Sequence, residues 1–316
     1  MKEIITVTGA VAPKELAFCQ CHEHIALSKG TSFAVNPALC IDQMTKSLEE
    51  LERYRSAGGN SIIEAQPCGC NRMARELQKL SLDSGVKIIA STGFHKLIFY
   101  PKDHWIRTLP VPELTDLFVR ELTQGMYIDG DLSLPSRQSN IRAGIIKTAY
   151  DKEGLTGRYT ELFLAAALAS SRTSRVVMIH VEQGADPRYL QDHLLNLGIA
   201  PQDLMFCHMD RACQDIQIHK DILKQGSYLE FDTIGRFKYH SDEHEITLLA
   251  RLVEAGYVRQ LVYALDTTRE RLRAYHTHAV GLDYILRTFN PALLASGFTE
   301  ETIRMLSVEN PARLLS

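Results

Sequence analysis

Short β-branched and apolar runs recur along the chain, separated by longer stretches in which apolar positions return every three or four residues. Continuous runs suit strands buried on both faces, and the longer period suits helices that cover a sheet. Eight such runs stand near residues 16–21, 61–65, 87–92, 143–148, 176–181, 204–207, 228–231 and 260–264. Alternating with helical stretches, they predict an α/β chain closing as a (β/α)8 TIM barrel. One helix is expected over 42–56, where Met44, Leu48 and Leu51 share a face, Asp42 caps the start and Gly58-Gly59 stops it. Others are expected near 72–83, 156–170, 188–197, 215–225 and 243–255, with short helices in the tail from 291 to 315. The stretch 94–139 is too long for a plain connection. It predicts a helix near 113–124, preceded by an aromatic and basic segment folded over the barrel mouth.

The length of 316 residues fits one such barrel, so a single domain over 1–316 is expected. Hydrophobic residues at 45% and charged residues at 23% are ordinary globular values, and no apolar run is long enough to cross a bilayer. A formal charge of −3 and the lack of an arginine-rich tract argue against nucleic acid, so an anionic ligand has to be met by a local cluster. Residues 1–13 carry Glu3 and lack the basic and apolar halves of a signal peptide, which makes the cytoplasm the expected address. Seven cysteines, an odd number, read as reduced thiols, and Cys68-Gly69-Cys70 as a turn after the second strand.

Candidate chemistry sits where the apolar runs stop. His22 and His24 close the first run, and residues two apart on a strand point to the same side, so both imidazoles can serve one metal while Glu23 turns away. Lys147 closes the fourth run, His180 the fifth, His208 the sixth and Asp266 the eighth. Alone, each has a structural reading: a lysine reaching solvent, a hydrogen-bonded core histidine, a helix cap before Thr267-Thr268-Arg269. Together, all at the carboxyl ends of strands that converge on one face of a barrel, they predict a metal centre. An ammonium repels cations, so Lys147 needs to be neutral there, and a neutral amine can take up CO2 as an N-carboxylate that bridges two metals.

In this order (His-x-His, lysine, histidine, histidine, aspartate) the chain resembles the phosphotriesterase-like branch of the amidohydrolase superfamily. The resemblance implies a hydrolase with two divalent ions. It places His22, His24 and Asp266 on the buried ion, His180 and His208 on the more exposed one, and carboxylated Lys147 between them. It also implies an attacking hydroxide between the ions, with Asp266 accepting its proton. The donor set suits zinc, and also manganese or cobalt.

Within that branch, Thr92-Gly93-Phe94-His95-Lys96, the stretch from Phe99 to Ile106 and Leu265-Asp266-Thr267-Thr268-Arg269 are similar to phospho-furanose lactonases. The resemblance implies a small phosphorylated sugar 1,4-lactone as substrate and fits a homodimer. Loops after strands seven and eight often bind phosphate in barrels. That points to Lys238 and Arg269, with Tyr275 as a neutral donor and Arg236, Arg271 and Arg273 as nearby substitutes. Tyr100 and His95 are expected to meet sugar hydroxyls or the lactone carbonyl. Two other readings compete: hydrolysis of unphosphorylated lactones or organophosphate esters, which wants an apolar pocket instead of a basic rim, and a metal- or ligand-binding barrel without catalysis.

Overall fold

The computed structural model describes residues 3–316; Met1 and Lys2, the first positions of the opening segment read above, lie outside the described residues. A hairpin the periodicity does not announce, β1 (Ile4–Thr6) and β2 (Gly9–Val11), precedes the main sheet. Eight strands follow: β3 (Cys19–Glu23), β4 (Ser61–Glu64), β5 (Lys87–Gly93), β6 (Ile145–Tyr150), β7 (Val177–Val181), β8 (Leu204–Cys207), β9 (Tyr228–Phe231) and β10 (Leu261–Tyr263). Each pairs in parallel with its sequence neighbour, so the sheet runs in chain order from β3 to β10.

The last gap, between β10 and β3, closes differently. The Asp266 N–H donates to the His22 carbonyl at 2.9 Å, the single main-chain bond of this kind across the seam among the described residues. The Glu23 carboxylate does the rest, accepting the Leu265 N–H at 2.9 Å and the Thr267 N–H at 3.1 Å, while the His24 N–H donates to Thr267 Oγ1. Glu23 thus turns away from the histidines, as its strand position requires, and replaces a ladder with a side chain. Its burial pushes its pKa up to about 8, against the hydrogen bonds that favour the charged form. With this seam shut, the sheet is a TIM barrel.

Side chains pointing inward explain how the barrel is filled. Ile63, Ile89, Ile145, Met178, Met205, Tyr228 and Val262 form one buried cluster with Cys19 and Cys21. Two residues further along the same strands, on the same side, stand Lys147, His180 and Glu230. The apolar plug therefore lies below and the polar side chains above, toward the carboxyl ends. A much larger apolar layer joins the outer face of the sheet to the helices.

The helices follow the periodicity to within about two residues, as in Met44–Ser56, Val111–Thr123, Pro187–Asn196 and Asp242–Glu254. Asp42 does not cap the first of these; Gln43 occupies the cap and makes no side-chain bond there. Among the described residues, no helix is long and apolar enough to cross a membrane. All seven cysteines are free and buried.

Candidate metal centre

The six side chains singled out in the sequence come together at the carboxyl end of the barrel, but not all from strand ends. Lys147 lies in the middle of β6 and His22 inside β3. The register of β3 against β4 shifts between Gln20 and Glu23, a bulge that adds one residue. Such bulges re-aim side chains next to active sites. Here it lets Cys21 stay with the apolar plug while His22 and His24 turn into the mouth. His208 and Asp266 follow their strands and take the left-handed conformation, with φ of 62° and 48°, which non-glycine residues adopt only when surrounding bonds hold them.

Two groups of ligand atoms result. His22 Nε2 and His24 Nε2 lie 3.8 and 3.7 Å from the same oxygen, Asp266 Oδ1. His208 Nε2 and His180 Nδ1 lie 2.7 Å apart. Lys147 Nζ lies 3.1 Å from His22 Nε2, and the His22 and His208 rings are 5.0 Å apart. Gly93, paired with Lys147 across β5 and β6, has φ of +101°, and a Cβ there would meet the Lys147 carbonyl at 2.0 Å, so only glycine lets the strands approach this closely.

A ring of carboxylates behind the ligands sets which nitrogen faces the mouth. Asp232 Oδ2 takes His22 Nδ1 at 2.9 Å and Asp232 Oδ1 takes His208 Nδ1 at 2.7 Å. Glu230 reaches His22 Nδ1 at 3.0 Å, and Glu64 reaches His24 Nδ1 at 3.1 Å. A carboxylate accepts, so the proton of each ring sits on Nδ1 and the Nε2 lone pair faces the cavity, the arrangement that metal-ligating histidines adopt. His180 is reversed: Nε2 approaches Glu182 at 3.4 Å and Nδ1 turns inward. Burial pulls the His22 and His180 pKa values down to about 4 and that of His208 well below the usual range, so these rings are neutral near pH 7. His22, His24 and buried Asp266 gather as one donor set that fits a divalent cation, and His208 and His180, with their facing nitrogens 2.7 Å apart, offer two more imidazoles beside it.

The strand alternation could have announced the clamp. Glu230 and Asp232 stand two apart in a run otherwise buried and apolar, and both side chains are fully buried. Burial pushes the Asp232 carboxyl up, but the His208 and His22 imidazoles outweigh it and hold Asp232 well below the usual carboxylate range.

A cavity of about 500 Å³ opens above these groups. His95 and Lys238 line it, as expected from the sequence. Arg269, Tyr275 and Tyr100 do not. The Arg269 guanidinium stacks 5.1 Å over the Tyr275 ring and donates to the Cys40 carbonyl, so both side chains serve loop packing. The Tyr275 hydroxyl binds the Gln43 backbone, and buried Tyr100 accepts the His95 N–H at 2.9 Å. The basic wall is instead built by Arg211, Arg236 and Lys238, which surround the Tyr239 ring at 5.0, 5.9 and 4.9 Å. Arg236 also holds Asp266, donating to Oδ2 at 2.9 Å and to the backbone carbonyl at 2.6 Å. Arg211, three residues beyond His208 on the next turn, escapes a reading that looks for phosphate binders only after strands seven and eight.

The profile of the Phosphotriesterase family matches residues 2–315. The chain belongs to the phosphotriesterase family. A phospho-furanose lactonase of Mycoplasmopsis synoviae (strain 53) is 26% identical over 322 residues, covering 98% of this chain and 91% of the relative. An N-acetyltaurine hydrolase of Danio rerio is 28% identical over 357 residues, covering 99% of this chain and 98% of the relative. Among solved structures, an amidohydrolase from Mycoplasma synoviae superposes with a TM-score of 0.94 at 25% identity, covering 99% of this chain and 92% of that one. As a phosphotriesterase-family member the chain is a metal-dependent hydrolase, and its buried histidine and carboxylate groups are the candidate seats of the metal.

Proposed function

We propose that this phosphotriesterase-family hydrolase opens the ring of a small phosphorylated sugar lactone, a phosphorylated furanose 1,4-lactone. The observation that carries the reading is the cationic wall of Arg211, Arg236 and Lys238 around Tyr239, facing a cavity whose floor is the candidate metal centre. Arg211 Nε is buried there without a hydrogen-bond partner, a donor held ready for an anion. The phospho-furanose lactonase relative supports the same substrate class.

Two divalent ions, zinc in preference to manganese or cobalt, would be held by His22, His24, Asp266, His180, His208 and Lys147, and would supply an acidified water and a polarised lactone carbonyl. The protein's own groups do the rest. Asp266 takes the proton of the attacking water and returns it to the ring oxygen as the acyl C–O bond breaks. Arg236, bound to the other oxygen of the carboxylate, keeps Asp266 oriented and ionised. His95 Nδ1 accepts the Lys96 N–H at 2.7 Å, which leaves its other nitrogen as an N–H donor toward a sugar hydroxyl or the lactone carbonyl. Lys96 itself pairs with Glu182 at 2.6 Å and bounds the cavity on that side.

Lys147 carries the N-carboxylate in this reading. Its side chain is 1% exposed and its Nζ stands beside a metal-facing imidazole, where an ammonium opposes cation binding and a carbamate assists it. High-resolution diffraction of the metal-loaded enzyme is expected to show three extra heavy atoms on Nζ; an unmodified amine with both ions in place refutes the assignment.

The decisive experiment compares kcat/KM of metal-loaded protein for phosphorylated γ-lactones, their unphosphorylated counterparts and N-acetyltaurine. Preference for the phosphorylated lactone is expected, and faster turnover of either of the others overturns the substrate assignment. Charge-assisted hydrogen bonds contribute about 1.5–3 kcal/mol each, so Arg211→Ala and Lys238→Ala should each raise KM roughly ten- to a hundredfold. Arg269→Ala should leave KM within about twofold, as expected for a substitution away from the ligand. An unchanged KM in the first two variants would place the phosphate elsewhere.

A further inference from the structure

Behind the cationic wall lies a second buried polar cluster that the proposed chemistry does not use. Asp210 stands on the turn after β8, His240 ends the loop after β9, and Glu245 sits in the first turns of the helix Asp242–Glu254. Asp210 and Glu245 are 1% and 0% exposed. His240 Nε2 lies 3.3 Å from Glu245 Oε2 and 3.9 Å from Asp210 Oδ2, and the three ligand atoms all fall within 4.8 Å of one another.

The hydrogen bonds around this cluster leave most of its carboxylate oxygens without a donor. His240 Nδ1 lies 3.2 Å from the Ser241 carbonyl, which can only accept, and with the ring proton there Nε2 is free to offer its lone pair to a cation held by the two carboxylates. Asp210 Oδ2 receives the Thr233 N–H at 2.6 Å, but Asp210 Oδ1 and both oxygens of Glu245 are buried with no hydrogen bond. Arg211, the adjacent cation in the chain, points to the Tyr239 ring instead. Two buried carboxylates facing one another beside an imidazole are unfavourable unless a cation or a shared proton sits among them.

We propose that Asp210, His240 and Glu245 bind a further divalent cation, distinct from the pair at the strand ends. One such ion balances the two carboxylates, and the 3.3 and 3.9 Å separations suit donors about 2.0–2.2 Å from a common centre. Thr233 Oγ1, 2.9 Å from His240 Nε2, is at hand as a neutral fourth donor. Mixed oxygen and imidazole donors suit zinc and manganese. The ion is structural: it ties the turn after β8 to the loop after β9 and to the helix Asp242–Glu254, and so braces the segment that carries Arg236, Lys238 and Tyr239. The inference does not depend on which substrate the enzyme takes.

The test is metal counting on the intact enzyme, saturated with Mn²⁺ or Zn²⁺ and desalted. Wild type should retain one equivalent more than Glu245→Gln, and one more than His240→Asn, with the remaining ions unchanged. Equal stoichiometry in wild type and both variants overturns the proposal. Should the variants fail to fold, wild-type crystals soaked in Mn²⁺ decide it. An anomalous peak among Asp210, His240 and Glu245 supports the site, and its absence at full occupancy of the strand-end ions means that a shared proton holds the carboxylates together.

Discussion

Asp266→Asn is expected to lower kcat by about 10²–10⁴-fold, the range associated with loss of a positioned acid–base group. Asparagine keeps the shape and leaves one oxygen for His22 and His24 to share a metal with, but an amide cannot take up and return a proton. Much of the metal should therefore stay bound, and metal content measured beside kcat separates a chemical defect from a binding defect. Burial pushes the Asp266 carboxyl up, but the Arg236 guanidinium outweighs it and holds the group well below the usual carboxylate range, which favours the ionised form that accepts a proton. Turnover close to wild type in a metal-replete Asn variant would remove Asp266 from the role of proton carrier.

The second large effect is expected one step behind the metal. Asp232→Asn should weaken metal binding by roughly 10–100-fold, as for other partners of ligating histidines. Asp232 uses one oxygen for His22 and the other for His208, so a single carboxylate orients one candidate ligand from each half of the centre. Asparagine offers only one acceptor, and its NH2 would face the N–H of the second ring. That ring would have to flip its tautomer or rotate, turning its lone pair away from the cavity. Competition with a chelator measures the loss, and excess metal should restore much of the activity. Wild-type affinity in the variant would mean that Glu230 alone fixes His22 and that the shared clamp is dispensable.

Much of this architecture could be read from the chain. All eight barrel strands are legible because burial on both faces writes them as largely apolar runs, and the candidate ligands stand out as polar residues near the ends of those runs, although Lys147 and His22 lie inside their strands. The first strand was placed about two to three residues early, at 16–21 against Cys19–Glu23, because the bulge at Cys21 and His22 has no signature in composition. The hairpin from Ile4 to Val11 was missed since strands of three residues are too short to show a period. Asp42 looked like a cap, yet the helix starts two residues beyond it. The substrate wall was the least legible part. Arg269 and Arg211 are equally basic on paper, and only tertiary packing decides that one guanidinium lies on Tyr275 and the other on Tyr239. Loop side chains take their direction from contacts distant in sequence, which no local pattern encodes.

The candidate ligands and the carboxylates behind them belong to strands or to residues within three of a strand end, braced by fully buried Asp232, Glu230 and Glu64. The cationic wall rides on loops and turns that begin only after those anchors. Inheritance can therefore rewrite the wall while the hydrolytic machinery stays put. That division of labour lets substrate contacts drift in the loops without loosening the buried frame beneath them.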